Sequence, residues 1–408
     1  MKFDFVVPSW SYWTEPLRAQ PLTQMYLATI LENEGHEIVF TDFRDGQKTL
    51  PNANAHFYTV ATPDYEEVKK IISNNSGIHI AGGPHINLFP EEVKYKFDSI
   101  AMGEGEESIK QIAIDLKNNN LKKIYSIKTH GEYPFPKRHF LPKDKIVTNL
   151  FKTENIPSTT VQFAFGCPYS CSFCANYNKK QIVRKTYSTI SNEIDYLKNN
   201  YGVEGLSLQD EICIPQNSIK AFEWLTLLEY KKIKWRGQIR AITDEDIIKY
   251  TKKSGCIELS FGLESADQQV LNMTNKHMNI NKVEETIRLC KKYDIKTRLY
   301  LINGLPYENE KIVDITKKFI NKNNPDIVLL SSLQPYPGSP IATNPEKYEI
   351  KWINTDYTKY NHLKCRFEDN EDLNSIVPYE YKNGLSRQQI YNNLLDLQHF
   401  LRERGVNK

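Results

Sequence analysis

Three of the seven cysteines fall within eight residues, at Cys167, Cys171 and Cys174. Thiolates this close together can bind a zinc ion or wrap one iron–sulfur cluster. A structural zinc site and an electron-carrying iron–sulfur cluster both take four protein ligands, but the remaining cysteines are scattered singly. Three thiolates on a four-iron cluster leave one iron open for a substrate or a cofactor. The spacing therefore predicts a catalytic cluster.

Two other uses of these cysteines are less favoured. A zinc ion with a histidine as fourth ligand stays an alternative, although no histidine lies near the three cysteines in the sequence. Disulfides are disfavoured because the CxxxC and CxxC spacings would close only very small loops.

The N-terminus does not resemble a signal peptide, because Asp4 and Pro8 interrupt the apolar core that a signal peptide would need. We therefore expect a cytoplasmic protein whose thiols stay reduced.

Composition excludes several classes of protein. The chain has 408 residues, 25% of them charged, and a formal net charge of +3. Its basic residues form no concentrated stripe, so we expect no nucleic-acid partner. No apolar run reaches the roughly 18 residues that a membrane helix needs, so we expect no membrane span.

The elements that must position the cysteines follow two α/β alternations. Residues 1–125 alternate strand and helix, which predicts a parallel sheet with helices on both faces. Residues 126–158 are rich in proline and charge, as is typical of a linker. Residues 159–344 hold six strand–helix units, which predicts a partial TIM barrel with its site at the carboxyl ends of the strands. Residues 345–408 form a polar C-terminal extension that closes with a helix. The predicted barrel strands are 159–165, 205–209, 233–239, 256–262, 295–302 and 326–333.

The cysteine segment directly follows the first barrel strand. Its sequence, CPYSCSFC, resembles the CxxxCxΦC signature of radical S-adenosylmethionine (radical SAM) enzymes, with Phe173 as the aromatic residue. The resemblance implies a [4Fe–4S] cluster on Cys167, Cys171 and Cys174, whose open iron is chelated by S-adenosylmethionine (SAM). It also implies an electron donor such as flavodoxin or ferredoxin. In that family, reductive cleavage of SAM releases a 5′-deoxyadenosyl radical that abstracts hydrogen from the substrate.

The same resemblance proposes contacts to SAM at the ends of later strands. Asp210 and Glu211 would lie near the cofactor's ammonium group, and Arg240 would grip its carboxylate with two hydrogen bonds. Glu264 and Ser265 would reach the ribose and the carboxylate. Four of these residues have a structural alternative. Glu264 is also a candidate helix cap, Asp210 and Glu211 are also candidate solvated loop residues, and Arg240 is also a candidate member of an ion pair. The loops expected to pack on the adenine contain Gly304, Pro306 and Gln334.

Residues 21–42 and 77–108 resemble a cobalamin-binding domain, which implies a Rossmann-like fold. Whether cobalamin binds is left open by the sequence. The cobalt-ligating DxHxxG motif is absent, and only about a dozen residues join the predicted second and third strands, too few for the usual helix. The main prediction is therefore hydrogen abstraction from an unactivated carbon of a small-molecule or peptide substrate, without cobalamin. Cobalamin-dependent C-methylation is the alternative, and a non-catalytic metal or iron–sulfur module is a third.

Two single cysteines are candidate hydrogen donors to a substrate radical. Cys213 lies just past the second barrel strand and Cys365 lies in the extension. Because free cysteines are usually small buried hydrophobes, packing is the competing interpretation for both.

Overall fold

The computed structural model describes residues 1–10, 15–47, 49–129, 134–151, 154–175, 182–361 and 363–406. The chain forms two compact units. The first comprises Met1–Thr159 and Ser188–Val203, and the second comprises Thr160–Tyr187 and Glu204–Lys408. The predicted linker, 126–158, thus lies in the first unit, apart from 130–133 and 152–153, which lie outside the described residues. The C-terminal extension lies in the second unit.

The first unit is built on a parallel sheet of order β2-β1-β3-β4-β5-β6. Sequence analysis found five of these strands and missed β6, which has only two residues. The strands are β1 (Lys2–Val7), β2 (Glu37–Asp42), β3 (Ala55–Thr59), β4 (His79–Gly82), β5 (Ser99–Ala101) and β6 (Ile124–Tyr125). The helices are α1 (Leu22–Asn33), α2 (Tyr65–Asn74), α3 (Pro84–Leu88), α4 (Pro90–Val93) and α5 (Glu106–Lys117).

Both faces of this sheet are buried, as in other parallel sheets covered by helices. On one face, Phe3 and Phe5 of β1 belong to an apolar cluster that includes Leu31 of α1 and Ile112 of α5. On the other face, Val6 belongs to a cluster with Tyr58 and with the α2 residues Val68 and Ile71. The connection from β2 to β3 contains a 3₁₀ turn, Phe43–Asp45, and no α-helix among its described residues.

At the carboxyl edge of this sheet, two buried polar side chains each have one atom without a hydrogen-bond partner among the described residues. Asp64 follows β3, and its Oδ1 has no hydrogen-bond partner among the described residues. His85 follows β4, lies 3.4 Å from Thr62 through Nδ1, and leaves its buried Nε2 without a partner there. Burial, reinforced by the nearby Glu67, raises the pKa of Asp64 to about 7, and burial lowers the pKa of His85 to about 4.

The second sheet has the order β15-β14-β13-β12-β11-β8-β7. β11 to β15 pair in parallel, whereas β7 adds an antiparallel edge to β8. The curled sheet is the predicted partial barrel. Its strands are β7 (Thr148–Asn149), β8 (Pro157–Val161), β11 (Gly205–Leu208), β12 (Lys234–Ile239), β13 (Cys256–Glu264), β14 (Lys296–Asn303) and β15 (Ile327–Ser332), and a separate hairpin pairs β9 (Ala164–Phe165) with β10 (Val183–Arg184). The barrel helices of the second unit are α8 (Ser218–Lys231), α9 (Glu245–Lys253), α10 (Gln268–Met273), α11 (Ile280–Lys292) and α12 (Ile312–Asn323), whereas α6 (Lys143–Ile146) and nearly all of α7 (Tyr187–Tyr201) belong to the first unit.

The two faces of the barrel sheet differ in polarity. Along β14, the buried residues Thr297, Leu299, Leu301 and Asn303 alternate with partly exposed ones that include Arg298. Leu299 and Leu301 suit the face that packs on amphipathic helices, because successive strand residues point to opposite faces. The partly exposed set therefore lines the concave side of the sheet.

The extension packs on the ends of β14 and β15. The Tyr379 and Tyr381 hydroxyls donate to the carbonyl of Gly304 at 2.7 and 2.8 Å, and Asn303 donates to the carbonyl of Ile390 at 2.9 Å. Its elements are β16 (Ile350–Ile353), α14 (Leu373–Ile376), β17 (Tyr379–Tyr381) and α15 (Arg387–Glu403), and α13 (Pro340–Thr343) directly precedes it. Within the described part of the chain, no helix is both long and apolar enough to cross a membrane.

The buried Asp64 carboxyl gives a prediction for stability. The native state holds this proton up to about pH 7, whereas the unfolded chain releases it near 3.8. Unfolding then releases a proton, so this group lowers stability as the pH rises between those values. Asp64→Asn should gain stability relative to the wild type by up to about 4 kcal/mol across this interval, measured by urea denaturation at each pH.

The matched control is Asp144→Asn, which neutralises an exposed aspartate on α6. Its stability difference from the wild type should stay flat with pH. A flat difference for Asp64→Asn as well would show that the Asp64 carboxyl ionises normally in the native state.

Candidate functional site

The three clustered cysteines lie on a loop that begins after β9. Gly166, with a φ of 87°, turns the chain into this loop, where Cys167 is partly buried, Cys171 is buried and Cys174 is exposed. Two backbone bonds fix its centre: the Ser172 N–H donates to the Thr274 carbonyl, and the Ile341 N–H donates to the Ser172 carbonyl, both at 2.9 Å. The loop is thus held between the end of α10 and α13. Residues 176–181, which follow it, lie outside the described residues.

Two cations lie beside the cysteine loop. Burial raises the pKa of the Cys171 thiol, while the positive charges of Lys276 and Arg240 act to lower it. The Arg240 guanidinium stacks 3.5 Å from the centroid of the Tyr169 ring, and the Lys276 ammonium lies 5.8 Å from that of Phe173. Because the thiolate is the form that binds metal, these cations suit a loop that must carry several negative sulfurs.

No three His, Cys, Asp or Glu side chains converge on a single-ion site anywhere in the described ranges. The zinc alternative thus has no preformed ligand set there. In a four-iron cluster, by contrast, each thiolate binds a different iron, so the three sulfurs need not converge on one point. The donor set of this loop therefore fits the cluster.

Glu264 adopts a strained backbone beside the cations. Its φ is 67°, and the β13–β14 register shifts between Gly262 and Glu264. Its Oε1 accepts a 2.8 Å hydrogen bond from Lys276. A Cβ on Gly262 would lie 2.0 Å from that oxygen, so only glycine leaves room for the carboxylate. Left-handed backbone at a non-glycine residue costs of order 1–3 kcal/mol and tends to be kept at functional sites.

Sequence reasoning offered a helix-cap alternative for Glu264 and overlooked Lys276. The structure gives the cap of α10 to Asp267, whose side chain accepts from the Gln269 N–H at 2.8 Å. Ser265 is buried, and its Oγ accepts from the Asp267 N–H at 3.2 Å. No local pattern points to Lys276, because it lies in a polar turn twelve residues after the carboxylate that it binds.

Arg240 and Asp210 both have protein partners. The Nη2 of Arg240 donates to the carbonyls of Lys276 and His277 at 2.9 and 2.8 Å, which joins it to the turn that carries the lysine. The buried Asp210 carboxylate accepts from the Phe163 N–H at 2.8 Å and lies 3.4 Å from Arg184. Burial raises the pKa of Asp210 to about 6 in spite of these partners.

Protein groups enclose Asp210. It is therefore not a solvated loop residue, which was the structural alternative to a contact with SAM. Glu211, beside it, is partly buried. Contact between either acid and SAM stays a prediction.

The Gly304 loop is tied to the C-terminal extension. Gly304 has a φ of 86° and its N–H donates to Glu308 Oε2 at 2.8 Å. Burial raises the pKa of Glu308 to about 8. Pro306 in the same loop is buried. Gln334, after β15, donates to the Ser375 carbonyl at 3.2 Å, and its buried Oε1 has no hydrogen-bond partner among the described residues.

The two candidate hydrogen donors differ in accessibility. Cys213 is fully buried, and its sulfur occupies the space where a Cβ on Gly237 would lie, which argues against contact with a substrate. Cys365 is partly buried and donates to the Leu363 carbonyl at 3.3 Å. Burial raises the pKa of the Cys365 thiol, and the charge of Arg298 acts against that effect, so this cysteine lies near a residue of the concave face.

Comparison with known protein families identifies the barrel. Residues 161–320, which contain the cysteine loop, match the family model of the Radical SAM superfamily. These residues belong to the Radical SAM superfamily. This membership implies a [4Fe–4S] cluster and SAM.

Similar curated sequences include several methyltransferases. An uncharacterized methyltransferase of Pyrococcus horikoshii is 26% identical to the radical SAM enzyme over 359 residues, which cover 78% of this chain and 77% of that protein. Bacteriochlorophyllide d C-8(2)-methyltransferase of Chlorobaculum tepidum is 26% identical over 331 residues, covering 76% and 71%.

Solved structures share the fold over both units. The radical SAM methyltransferase TsrM of Kitasatospora setae, with cobalamin and a [4Fe–4S] cluster bound, has a TM-score of 0.68 at 17% identity and covers 83% of this chain and 76% of its own. The cobalamin-dependent enzyme OxsB, with aqua-cobalamin and SAM bound, has a TM-score of 0.70 at 14% identity. The match covers 96% of this chain and 65% of OxsB. These likenesses establish the fold: a cobalamin-binding-type parallel sheet followed by a partial barrel.

The collision expected at Gly304 tests how the extension holds this loop. A Cβ there would lie 2.1 Å from the Tyr379 hydroxyl, and an L-residue at positive φ adds about 1–2 kcal/mol of strain. Gly304→Ala should therefore destabilise the radical SAM enzyme by more than that strain alone, as measured by urea denaturation.

Gly384→Ala is the matched control, since Gly384 has a φ of 92° but no atom within 4 Å of the position that a Cβ would take. The free energy of unfolding of Gly384→Ala should fall only by the contribution of backbone strain. Equal losses in the two variants would mean that the contact of the extension with Gly304 contributes nothing.

Proposed function

We propose that this radical SAM enzyme is a cobalamin-dependent methyltransferase acting on a carbon of a small-molecule or peptide substrate. The observation that carries the proposal is that two solved structures sharing its fold over most of the chain both hold cobalamin. The methyltransferase names of its sequence relatives point in the same direction. This is the alternative of the sequence analysis rather than its main prediction.

The first unit offers a place for the corrin. The order β2-β1-β3-β4 reverses direction between β1 and β3, and ligands of open α/β sheets bind at the carboxyl edge beside such a reversal. Asp64 Oδ1 and His85 Nε2, both buried and without a hydrogen-bond partner in the part of the chain that the structure describes, lie at that edge. A polar ligand bound there would be a reasonable partner for them. Cobalamin, when bound, supplies the methyl group.

The cysteine loop would hold the cluster. We assign Cys167, Cys171 and Cys174 as its ligands, with Lys276 and Arg240 as the nearby cations that balance their charge. The cluster, when bound, supplies the electron that cleaves SAM, which a flavodoxin or a ferredoxin would deliver. The Glu264 carboxylate, the Arg240 guanidinium and Phe173 would then border the region where SAM binds.

Hydrogen abstraction without cobalamin is the second candidate. The observation that favours it is the β2–β3 connection. Its described residues form no α-helix, so they offer less surface for the corrin to pack against. Cys365, near Arg298, would then remain a candidate hydrogen donor.

Cobalamin retention separates the two candidates. Anaerobically reconstituted protein, incubated with hydroxocobalamin and passed through a desalting column, should keep corrin absorption bands. After reduction it should form S-adenosylhomocysteine from SAM in an amount that depends on the cobalamin bound. Release of 5′-deoxyadenosine alone, with no corrin retained, would favour hydrogen abstraction without cobalamin.

A variant pair locates the corrin. Ala61 is partly exposed and follows β3 at the reversal, so Ala61→Trp should lower cobalamin retention by filling the crevice. Ile114→Trp, on an exposed position of α5, adds the same side chain elsewhere in the first unit and should bind cobalamin normally. Equal retention in both variants would place the corrin elsewhere.

The cluster ligands give a separate prediction. Cys167→Ala, Cys171→Ala and Cys174→Ala should each abolish SAM cleavage and lower the iron content after reconstitution, which should be about four irons per chain in the wild type. Cys290→Ala, which removes a buried thiol from α11, should retain both. Turnover in any of the three variants would contradict the ligand assignment.

A further inference from the structure

A layer of charged side chains crosses the concave face of the barrel below the proposed SAM site. Arg298 of β14 donates to Glu258 Oε2 of β13 at 3.0 Å. Arg236 of β12 lies 3.9 Å from Glu258 Oε1 and donates through Nε to the Ser207 hydroxyl of β11 at 3.0 Å. Four neighbouring strands therefore contribute to a single polar layer.

This layer lies on the side that faces the proposed SAM site. Glu258 and Gly262 share one face of β13, because strand residues two and four apart point the same way. Gly262 faces the Glu264 carboxylate and the Lys276 ammonium. The guanidinium-bearing side chains of Arg236 and Arg298 are each 20% exposed, so solvent reaches the layer.

Arg298 and Glu258 are incompletely hydrogen-bonded. The Nε of Arg298 is buried without a hydrogen-bond partner in the described part of the chain, and so is the Oε1 of Glu258. A buried donor without a partner is costly, whereas a charged acceptor placed on it forms one of the stronger hydrogen bonds in proteins. The Nε–H of Arg298 is therefore a suitable hydrogen-bond donor to an anion.

We propose that Arg298, assisted by Arg236, binds an oxyanion of the substrate, a carboxylate or a phosphate. From Glu258 to Gly262 the strand rises four residues, or about 13 Å. The substrate would therefore be elongated, with its anionic end on this layer and its reacting carbon near the ends of the strands. Anion binding at Arg298 does not depend on the proposed function. Only the assignment of this anion to the substrate rests on it.

Anion binding can be measured without turnover. Reconstituted full-length protein, free of cobalamin and in a chloride buffer, is titrated calorimetrically with succinate and, separately, with inorganic phosphate. We expect saturable binding of at least one probe. Preference for succinate would indicate a carboxylate substrate and preference for phosphate a phosphate ester. Binding of neither probe would overturn the proposal.

Two variants should shift the affinity in opposite directions. Arg298→Gln should weaken binding of the probe by about tenfold or more, whereas Glu258→Gln should strengthen it, because it removes the competing negative charge. A purely structural ion network would show no such opposition. Arg288→Gln, on an exposed arginine of α11 that pairs with Glu285, should bind like the wild type.

Unchanged affinity in both layer variants would overturn the proposal. Should Arg298→Gln fail to fold, Glu258→Gln still decides the question. Since the assay needs no methyl transfer, anion binding in a protein that transfers no methyl group would sustain this inference while refuting the proposed function.

Discussion

The site depends on the two hydrogen bonds made by the backbone of Ser172. Its N–H and carbonyl fasten the centre of the cysteine loop to the end of α10 and to α13. The turn after α10 also carries Lys276, whose ammonium binds Glu264, and whose carbonyl holds Arg240. The position of the thiols and the positive charge beside them are therefore set by the same short segment. A shift of this segment would move both the sulfurs and their counter-charges.

The C-terminal extension is part of this arrangement. Its two tyrosine hydroxyls share the Gly304 carbonyl, and the carbonyl of Ile390 accepts from Asn303. The loop after β14 is thus fixed from outside by residues more than seventy positions away in the sequence. A partial barrel leaves its strand ends open, so a segment that packs on them stabilises loops that would otherwise be held only by their own turns.

Methylation and hydrogen abstraction differ in what the first unit must do. Sequence reasoning preferred hydrogen abstraction because a short connection seemed to leave too little wall for a corrin. The structure confirms that the described β2–β3 connection has no α-helix. Ligands of open α/β sheets, however, bind at the carboxyl edge, which loops rather than crossover helices surround. The length of this connection was therefore a weak argument against a corrin.

The sequence by itself determined the cysteine loop, the α/β class and the six barrel strands, which the structure reproduces to within a few residues. These features are local: a motif of eight residues, and a repeating apolar pattern that a strand or helix imposes on its own residues. The β6 strand was missed because two residues carry too little pattern.

Tertiary structure decided which polar side chains meet. Lys276 reaches Glu264 across a bulge, Arg298 reaches Glu258 from the next strand, and the extension reaches Gly304. Asp210, named from the sequence as a solvated acid or a SAM contact, proved to be enclosed by protein groups. Such contacts depend on sheet register and chain reversal, which join residues far apart in the sequence and leave no periodic trace in it.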